Sequence, residues 1–243
     1  FESQPLAGGF KYLRQMLDSA YRPLLQSHLR PDIIDPAVAL ESYRVVFSPY
    51  LPALDESGLR DRLRSWIEAG GTWIAGPFTD IRTEDATKYT QAPFGSLESW
   101  AGVYGKYELP ADPHPFKLRW SDGTESNGSV WQCGFELRGA EALATYEEGP
   151  LRGLAAVTRR RMGRGWVIAL GTMPSPGDMA RQMVQWAGEA GIAPAAEASP
   201  DVLVVPRSGS AGEGMVVIEH GHRAGRLSLP RPMTDLITGR SYE

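Results

Sequence analysis

Apolar positions early in the chain recur at helical spacing. Phe10, Leu13, Leu17, Ala20, Leu24 and Leu25 predict a helix over about 9–28, and Pro23, which lacks an N–H, is expected to kink or split it. Ile33 and Ile34 predict a short buried strand closed by Asp35-Pro36. Residues 43–47 predict a second strand, stopped by Ser48-Pro49. Asp55 is placed to cap the next helix, whose stripe is Leu59, Leu63, Trp66 and Ile67, with Gly70 closing it. Residues 71–77 then read as turn, strand and turn. Strand, helix and strand with connections this short predict parallel strands in an α/β layer. Ligand crevices in such sheets lie at the C-terminal strand ends, here residues 48–50 and 76–80.

From about 80 to 149 the pattern loosens into Gly, Pro, Asp and Trp. It predicts long loops with short strands at 117–120 and 130–135. Residues 154–161, then the turn 162–165, then 166–171 read as a β-hairpin. A helix follows, with Met179, Met183, Trp186 and Ala187 on one face and Gly191 at its end. Residues 193–200 form an Ala/Pro linker. Beyond it only strand patterns occur, at 202–205, 215–219 and 226–229. The chain therefore divides into a larger unit over 1–195 and a small β unit over 200–243, too short for an independent core.

Composition adds exclusions. The 243 residues carry 25 Lys and Arg against 29 Asp and Glu, a net charge of −4, which offers no electrostatic footprint for nucleic acid. No apolar run approaches a membrane span. One cysteine, Cys133, excludes an internal disulfide framework and a multi-cysteine zinc site. No signal-peptide pattern opens the chain, which predicts a cytoplasmic location. The start at Phe1 and the stop at Glu243, just after a strand and turn, read as cuts in a longer polypeptide.

Candidate chemistry is sparse. Cys133 is not followed by a helix start, as a nucleophile elbow would be, and reads as a buried thiol. His220-Gly221-His222 lacks a third metal ligand, and His114 sits in a loop between prolines. Glu84-Asp85 and Glu147-Glu148 are sequence neighbours, which rarely face each other across a sugar ring as a glycosidase pair must, and they read as surface loops. Arg159-Arg160-Arg161 alternate along a strand and are expected to meet carboxylates of this or another subunit. The sequence gives no sign of a cofactor or metal site. Trp66, Trp73 and Trp186 read as core. Trp100, Tyr104, Tyr107, Trp120 and Trp131 fall in the loop-rich middle, where aromatics stack on sugars, anchor an interface or pin loops.

Several segments together resemble glycoside hydrolase family 42, the microbial β-galactosidases. They are residues 39–51, around Tyr43-Arg44-Val45-Val46-Phe47; residues 67–77, around Gly70-Gly71-Thr72; and residues 79–84 with Gly95-Ser96-Leu97 and Ala101-Gly102-Val103. Residues 153–158, residues 163–172 with Gly163-Arg164-Gly165, and residues 227–239 ending Asp235-Leu236-Ile237-Thr238-Gly239 complete the set. Phe94 and Ala155 stand where the family pattern has Pro.

The resemblance implies a three-part enzyme of catalytic TIM barrel, flavodoxin-like trimerisation domain and small β-sandwich, of which this chain is similar to the last two. It implies an α/β fold with a flavodoxin-like, class I glutamine amidotransferase-like parallel sheet, followed by a small antiparallel β-sandwich-like domain. The catalytic glutamates belong to the barrel, so this chain alone is expected to be inactive. Its implied partners are two further copies in a homotrimer and the barrel of the same parent chain, without nucleic acid or membrane. Phe78, Thr79, Asp80, Trp100, Tyr104, Trp120 and Trp131 are the candidate interface or sugar contacts, and residues 78–85 are candidates to reach a neighbour's active site. Two competing readings remain: a sugar-binding module using Trp100, Trp120 or Trp131, and an amidotransferase-like hydrolase using Cys133 or Ser48.

Overall fold

The computed structural model describes residues 12–54, 58–90, 94–110, 115–210 and 212–242. Its centre is a curled, mixed ten-stranded sheet. β1 (Val45–Ser48) pairs in parallel with β2 (Thr72–Ala75), and β2 in parallel with β9 (Gly165–Leu170). β9 then turns back on β8 (Ala155–Met162) through the Gly163-Arg164 turn, as the hairpin pattern predicts. From β8 outward every pairing is antiparallel, through β7 (Glu141–Tyr146), β4 (Phe116–Trp120), β5 (Glu125–Ser129) and β10 (Met173–Pro174). β3 (Val103–Pro110) lies on β6 (Trp131–Leu137), which joins β8 at Phe135.

This arrangement corrects the expectation of a flavodoxin-like, glutamine amidotransferase-like parallel sheet. Among the described residues only β1, β2 and β9 run parallel. The middle of the chain, read as long loops with short strands at 117–120 and 130–135, has strands at both places, β4 and β6, and adds β3, β5 and β7 where loops were expected. Residues 116–120 alternate buried and exposed, and the whole segment curls into the sheet.

Helices cover the parallel part. α1 (Tyr12–Gln15) runs into a π-helical turn, Met16–Tyr21, and then α2 (Arg22–Gln26). The widened turn stands just ahead of Pro23, whose ring would clash with the carbonyl four residues back in a regular helix. Residues 9–11 of the expected helix lie outside the described residues. So does Asp55; the described N-cap of α3 (Leu59–Glu68) is Gly58 at φ 67, without a side-chain cap. α3 buries Leu59, Leu63, Trp66 and Ile67, the predicted stripe. A short α4 (Leu97–Ala101) and α5 (Pro176–Glu189) complete the layer. In α5, Ser175 accepts from the Asp178 N–H, with Pro176 at the first position. One core joins these faces, with Trp73, Ile74, Ile67, Leu54 and Trp186 nearly or wholly excluded from solvent.

Ile33 and Ile34 are not in a strand, against expectation; Ile33 is 69% exposed. Their β-branched pattern is suited to a sheet, yet no ladder neighbour stands beside them among the described residues.

The expected β-sandwich-like C-terminal domain is also corrected. It consists of two separate two-stranded ribbons, β11 (Val202–Gly209) with β12 (Gly212–Glu219), and β13 (Met233–Thr234) with β14 (Ser241–Tyr242). The strand expected at 226–229 shrinks to one bridge, Leu227 to Ala198. β11 buries Val202 and Val204, whereas β12 leaves Val216, Val217 and Ile218 about half exposed, each between 45% and 48%. The linker is tied down at His28, whose ring Nε2 is 2.9 Å from the Ala198 carbonyl and whose own carbonyl accepts from the Ala195 N–H. No described helix is long and apolar enough to cross a membrane.

Candidate functional site

The C-terminal ends of β1 and β2 are locked together. Gly76 follows β2 and lies so close to Pro49 that a Cβ there would stand 2.2 Å from the Pro49 carbonyl oxygen. The chain then passes through Phe78 at φ 62 and Asp80 at φ 55, left-handed positions that cost free energy unless the surroundings enforce them. Thr79 enforces part of it. Its hydroxyl donates to the Ser48 carbonyl at 2.9 Å and accepts from the Leu51 N–H at 3.4 Å.

Asp80 enforces the rest. Its carboxylate is fully buried and receives four donors. Arg60 of α3 donates through Nη2 to Oδ1 at 3.0 Å and through Nη1 to Oδ2 at 3.3 Å. The Tyr89 hydroxyl donates to Oδ1 at 2.9 Å, and the Leu97 N–H at the start of α4 donates to Oδ2 at 2.9 Å. Arg60 also donates to the hydroxyls of Tyr89 and Ser96. Burial, reinforced by the Asp80 carboxylate, pushes the Tyr89 phenol up to about 12. Gly95 completes the packing, because a Cβ there would stand 2.6 Å from both Asp80 Oδ1 and the Tyr89 ring. The place where an open α/β sheet would leave a ligand crevice is therefore filled by a buried ion pair that fixes three loops. Sequence reasoning named Asp80 but missed Arg60, Tyr89 and Ser96.

The aromatic candidates separate. Trp100 is buried edge-on against Trp73, with centroids 5.8 Å apart. Trp120 is buried, donates to the Ser126 hydroxyl at 2.9 Å and lies under Arg181. Neither presents a face to a sugar in this chain. Tyr104 is half-buried beneath the Arg138 guanidinium, 4.5 Å from the ring centre. Phe78 and Trp131 come together at 4.8 Å, and Tyr50 continues the row at 6.3 Å from Phe78. Trp131 is half-buried, and its buried indole N–H has no hydrogen-bond partner among the described residues.

The remaining candidates are committed to structure. Cys133 is buried, and burial pushes its thiol well above the usual range, with Glu108 and Glu98 adding to the effect. The Ser48 hydroxyl accepts from the Trp73 indole at 3.0 Å, with no histidine among its hydrogen-bond partners. Glu147 pairs with Arg119 at 3.0 Å, and Glu148 accepts from the Lys117 N–H. Glu84 and Asp85 are exposed. Arg159 pairs with Glu141 and Glu189 of the same chain and covers Trp166, and Arg160 donates to the Ser99 carbonyl. His114 lies outside the described residues. Among those that are described, no cluster of three His, Cys, Asp or Glu side chains could hold a metal.

Comparison with known proteins adds to this geometry. Residues 1–193 match the family described as the beta-galactosidase trimerisation domain. The chain is 32% identical over 237 residues to beta-galactosidase YesZ of Bacillus licheniformis, covering 94% of this chain and 35% of that protein. It is 29% identical over 229 residues to beta-galactosidase BgaB of Geobacillus sp., covering 93% and 34%. The chain thus spans about a third of the length of these relatives. Its fold superposes on the crystal structure of beta-galactosidase from Bacillus circulans sp. alkalophilus with a TM-score of 0.90, at 19% identity, over 99% of this chain and 36% of that one. Gan42B, a GH42 beta-galactosidase of G. stearothermophilus, gives 0.89 at 18% identity, over 99% and 35%. The curled mixed sheet is therefore the fold shared with these chains, in place of the flavodoxin-like one.

Proposed function

The chain belongs to the beta-galactosidase trimerisation domain family, and from that premise we propose that it joins three copies of a longer, β-galactoside-hydrolysing polypeptide. The observation that carries this reading is the family match over residues 1–193. In the proposal, residues 1–195 form the trimerising unit and residues 200–243 a small β unit leaning on it. Hydrolysis belongs to a catalytic barrel elsewhere in the parent chain, and the location is cytoplasmic.

A closed ring of three needs two different complementary patches on each subunit. Trp131, half-buried over the buried Phe78 and Tyr50 at the strand ends, supports one of them. An unpaired buried indole N–H costs about 1–3 kcal/mol, which an acceptor from a neighbouring subunit would recover. Residues 78–85 adjoin these aromatics and are the part of the chain we assign to contact a neighbour's active site.

Sedimentation of the longer polypeptide tests the proposal. A trimer is expected, and Trp131→Ala is expected to raise its dissociation constant about tenfold or more. A monomer at all concentrations would overturn it. The 243-residue chain alone should not hydrolyse nitrophenyl β-galactoside, and turnover by the pure chain would place the chemistry here instead.

A further inference from the structure

The outer end of β8 carries Arg159, Arg160 and Arg161, and among the described residues only Arg159 meets carboxylates. Arg161 lies over the Trp166 ring and donates to the Gly163 carbonyl. Arg160 reaches α4 and donates one N–H to the Ser99 carbonyl. It crosses the end of that helix over Gly102, where a Cβ would stand 2.5 Å from Arg160 Cδ. Gly102 also sits at φ 65, so both space and backbone call for glycine there. Its carbonyl accepts from the Arg138 N–H at 2.7 Å, which brings a second arginine to the same place. The exposed Arg138 side chain rests on the Tyr104 ring, 4.5 Å from its centre. Neither guanidinium has an ion pair among the described residues. Both line one open cleft of about 270 Å³, and Glu98 of α4 lines it with them. Glu98 Oε1 accepts from the Gly105 N–H at 2.7 Å, and Oε2 receives no donor among the described residues. The cleft thus offers two cationic forks of donors and one spare acceptor.

We infer that this cleft binds a small oxyanion that carries its own hydroxyl, supplied either as hydrogen phosphate or as a sugar acid. The two guanidinium groups give planar, charge-assisted donors to the anionic oxygens. Glu98 decides which anion is accepted. A fully deprotonated oxyanion meets a like charge in Glu98. An anion with a hydroxyl turns the same carboxylate into a partner, because its O–H donates to Oε2. Near neutral pH phosphate retains a proton and sulfate has none, although the two share a tetrahedral shape. Discrimination between them therefore falls to one side chain, by repulsion of one as much as by attraction of the other. Both arginines are held before a ligand arrives, Arg160 by the Ser99 carbonyl and Arg138 by the Tyr104 ring. Little side-chain freedom is left for binding to remove. The inference stands on residues of a single copy, and not on the trimer or on any hydrolysis.

Isothermal titration calorimetry of the 243-residue chain tests it, with inorganic phosphate, glucuronate and sulfate as probes at one ionic strength and neutral pH. Saturable binding of phosphate or glucuronate is expected with a Kd of about 1 mM or tighter, and the tighter of the two identifies the source. Sulfate should bind at least about tenfold more weakly than that ligand. Arg138→Gln and Arg160→Gln should each weaken binding about tenfold or more. Arg161→Gln makes the same change of charge outside the cleft and should leave binding unchanged. Glu98→Gln should erase the preference over sulfate, since its side-chain oxygen still accepts from Gly105 and its amide donates to either anion. Arg138 is exposed, so its variant reads the site even where Arg160→Gln loosens α4. No saturable binding of either phosphate or glucuronate would overturn the inference. So would sulfate binding as tightly as the better of the two, or a loss in Arg161→Gln equal to that in Arg160→Gln, which is the mark of diffuse charge. Affinity that falls as protein concentration rises would give the cleft to a carboxylate of a second copy, and would overturn it as well.

Discussion

Asp80→Asn isolates the charge in the buried network. Asn tolerates the left-handed backbone at φ 55, so the turn itself is preserved. The shape is conserved, and only the ionic character is lost. One oxygen can still accept from the Leu97 N–H, which is fixed at the start of α4. The new amide nitrogen then faces Arg60 Nη2, donor against donor, and Tyr89, whose hydroxyl can rotate to accept. Losing a charge-assisted bond costs about 1.5–3 kcal/mol. Stripping one partner from a buried ion pair costs about 3–5 kcal/mol. Arg60 keeps 23% of its side-chain surface in water, which places the expected cost near the lower end, about 3 kcal/mol. At this chain length that corresponds to a fall of about 6–12 °C in Tm. Urea unfolding followed by tryptophan fluorescence measures the change. A double-mutant cycle with Arg60→Met should show coupling of at least about 1.5 kcal/mol, since the two side chains share two charge-assisted hydrogen bonds. A cost under about 1 kcal/mol for Asp80→Asn, or additive changes, would refute the view that this pair holds the strand ends.

Further outcomes follow from neighbouring features. Gly76→Ala should destabilise the chain by about 1–3 kcal/mol in the same urea assay, because its Cβ meets the Pro49 backbone at 2.2 Å and a backbone cannot swing aside. The folded Tyr89 phenol holds its proton to about 12, above its ordinary value of 10.0; its stabilising contribution is complete below pH 10 and lost as pH rises toward 12. Tyr89→Phe should flatten that alkaline fall, and an unchanged pH profile would contradict the assignment. Cys133 should react with a disulfide probe at pH 8 only at the rate of unfolding, whereas fast stoichiometric labelling of native protein would contradict its burial.

Local signals carried the parallel part of the fold into view. The α3 stripe, the all-buried β2 and the Gly163-Arg164 turn each depend on residues within a dozen positions, and pattern reports such neighbourhoods well. The antiparallel middle was opaque for a definite reason. β5 reads Glu-Ser-Asn-Gly-Ser, and its inward positions are Ser126 and Gly128, which leave room for the Trp120 indole and the Phe116 ring. A strand whose core face is filled by its neighbours' side chains has no hydrophobic alternation of its own. The Asp80 network was half visible. Strand-end position pointed to Asp80, but Arg60 and Tyr89 look like ordinary surface residues until the fold places them 20 and 9 positions away against one carboxylate. Ile33 and Ile34 show the converse: a β-branched pair that reads as a buried strand forms no ladder among the described residues.

The β11–β12 ribbon bears on how the isolated chain behaves at high concentration. Val216, Val217 and Ile218 are consecutive, so their side chains alternate between the two faces and neither face is wholly polar. The outer edge of β12 is unpaired among the described residues. A bare edge beside exposed aliphatic side chains is a template on which further molecules can stack. Glu213 and Glu219 flank the run and act as charged gatekeepers. Colloidal stability of the free chain should therefore depend more on those two carboxylates than on its net charge of −4.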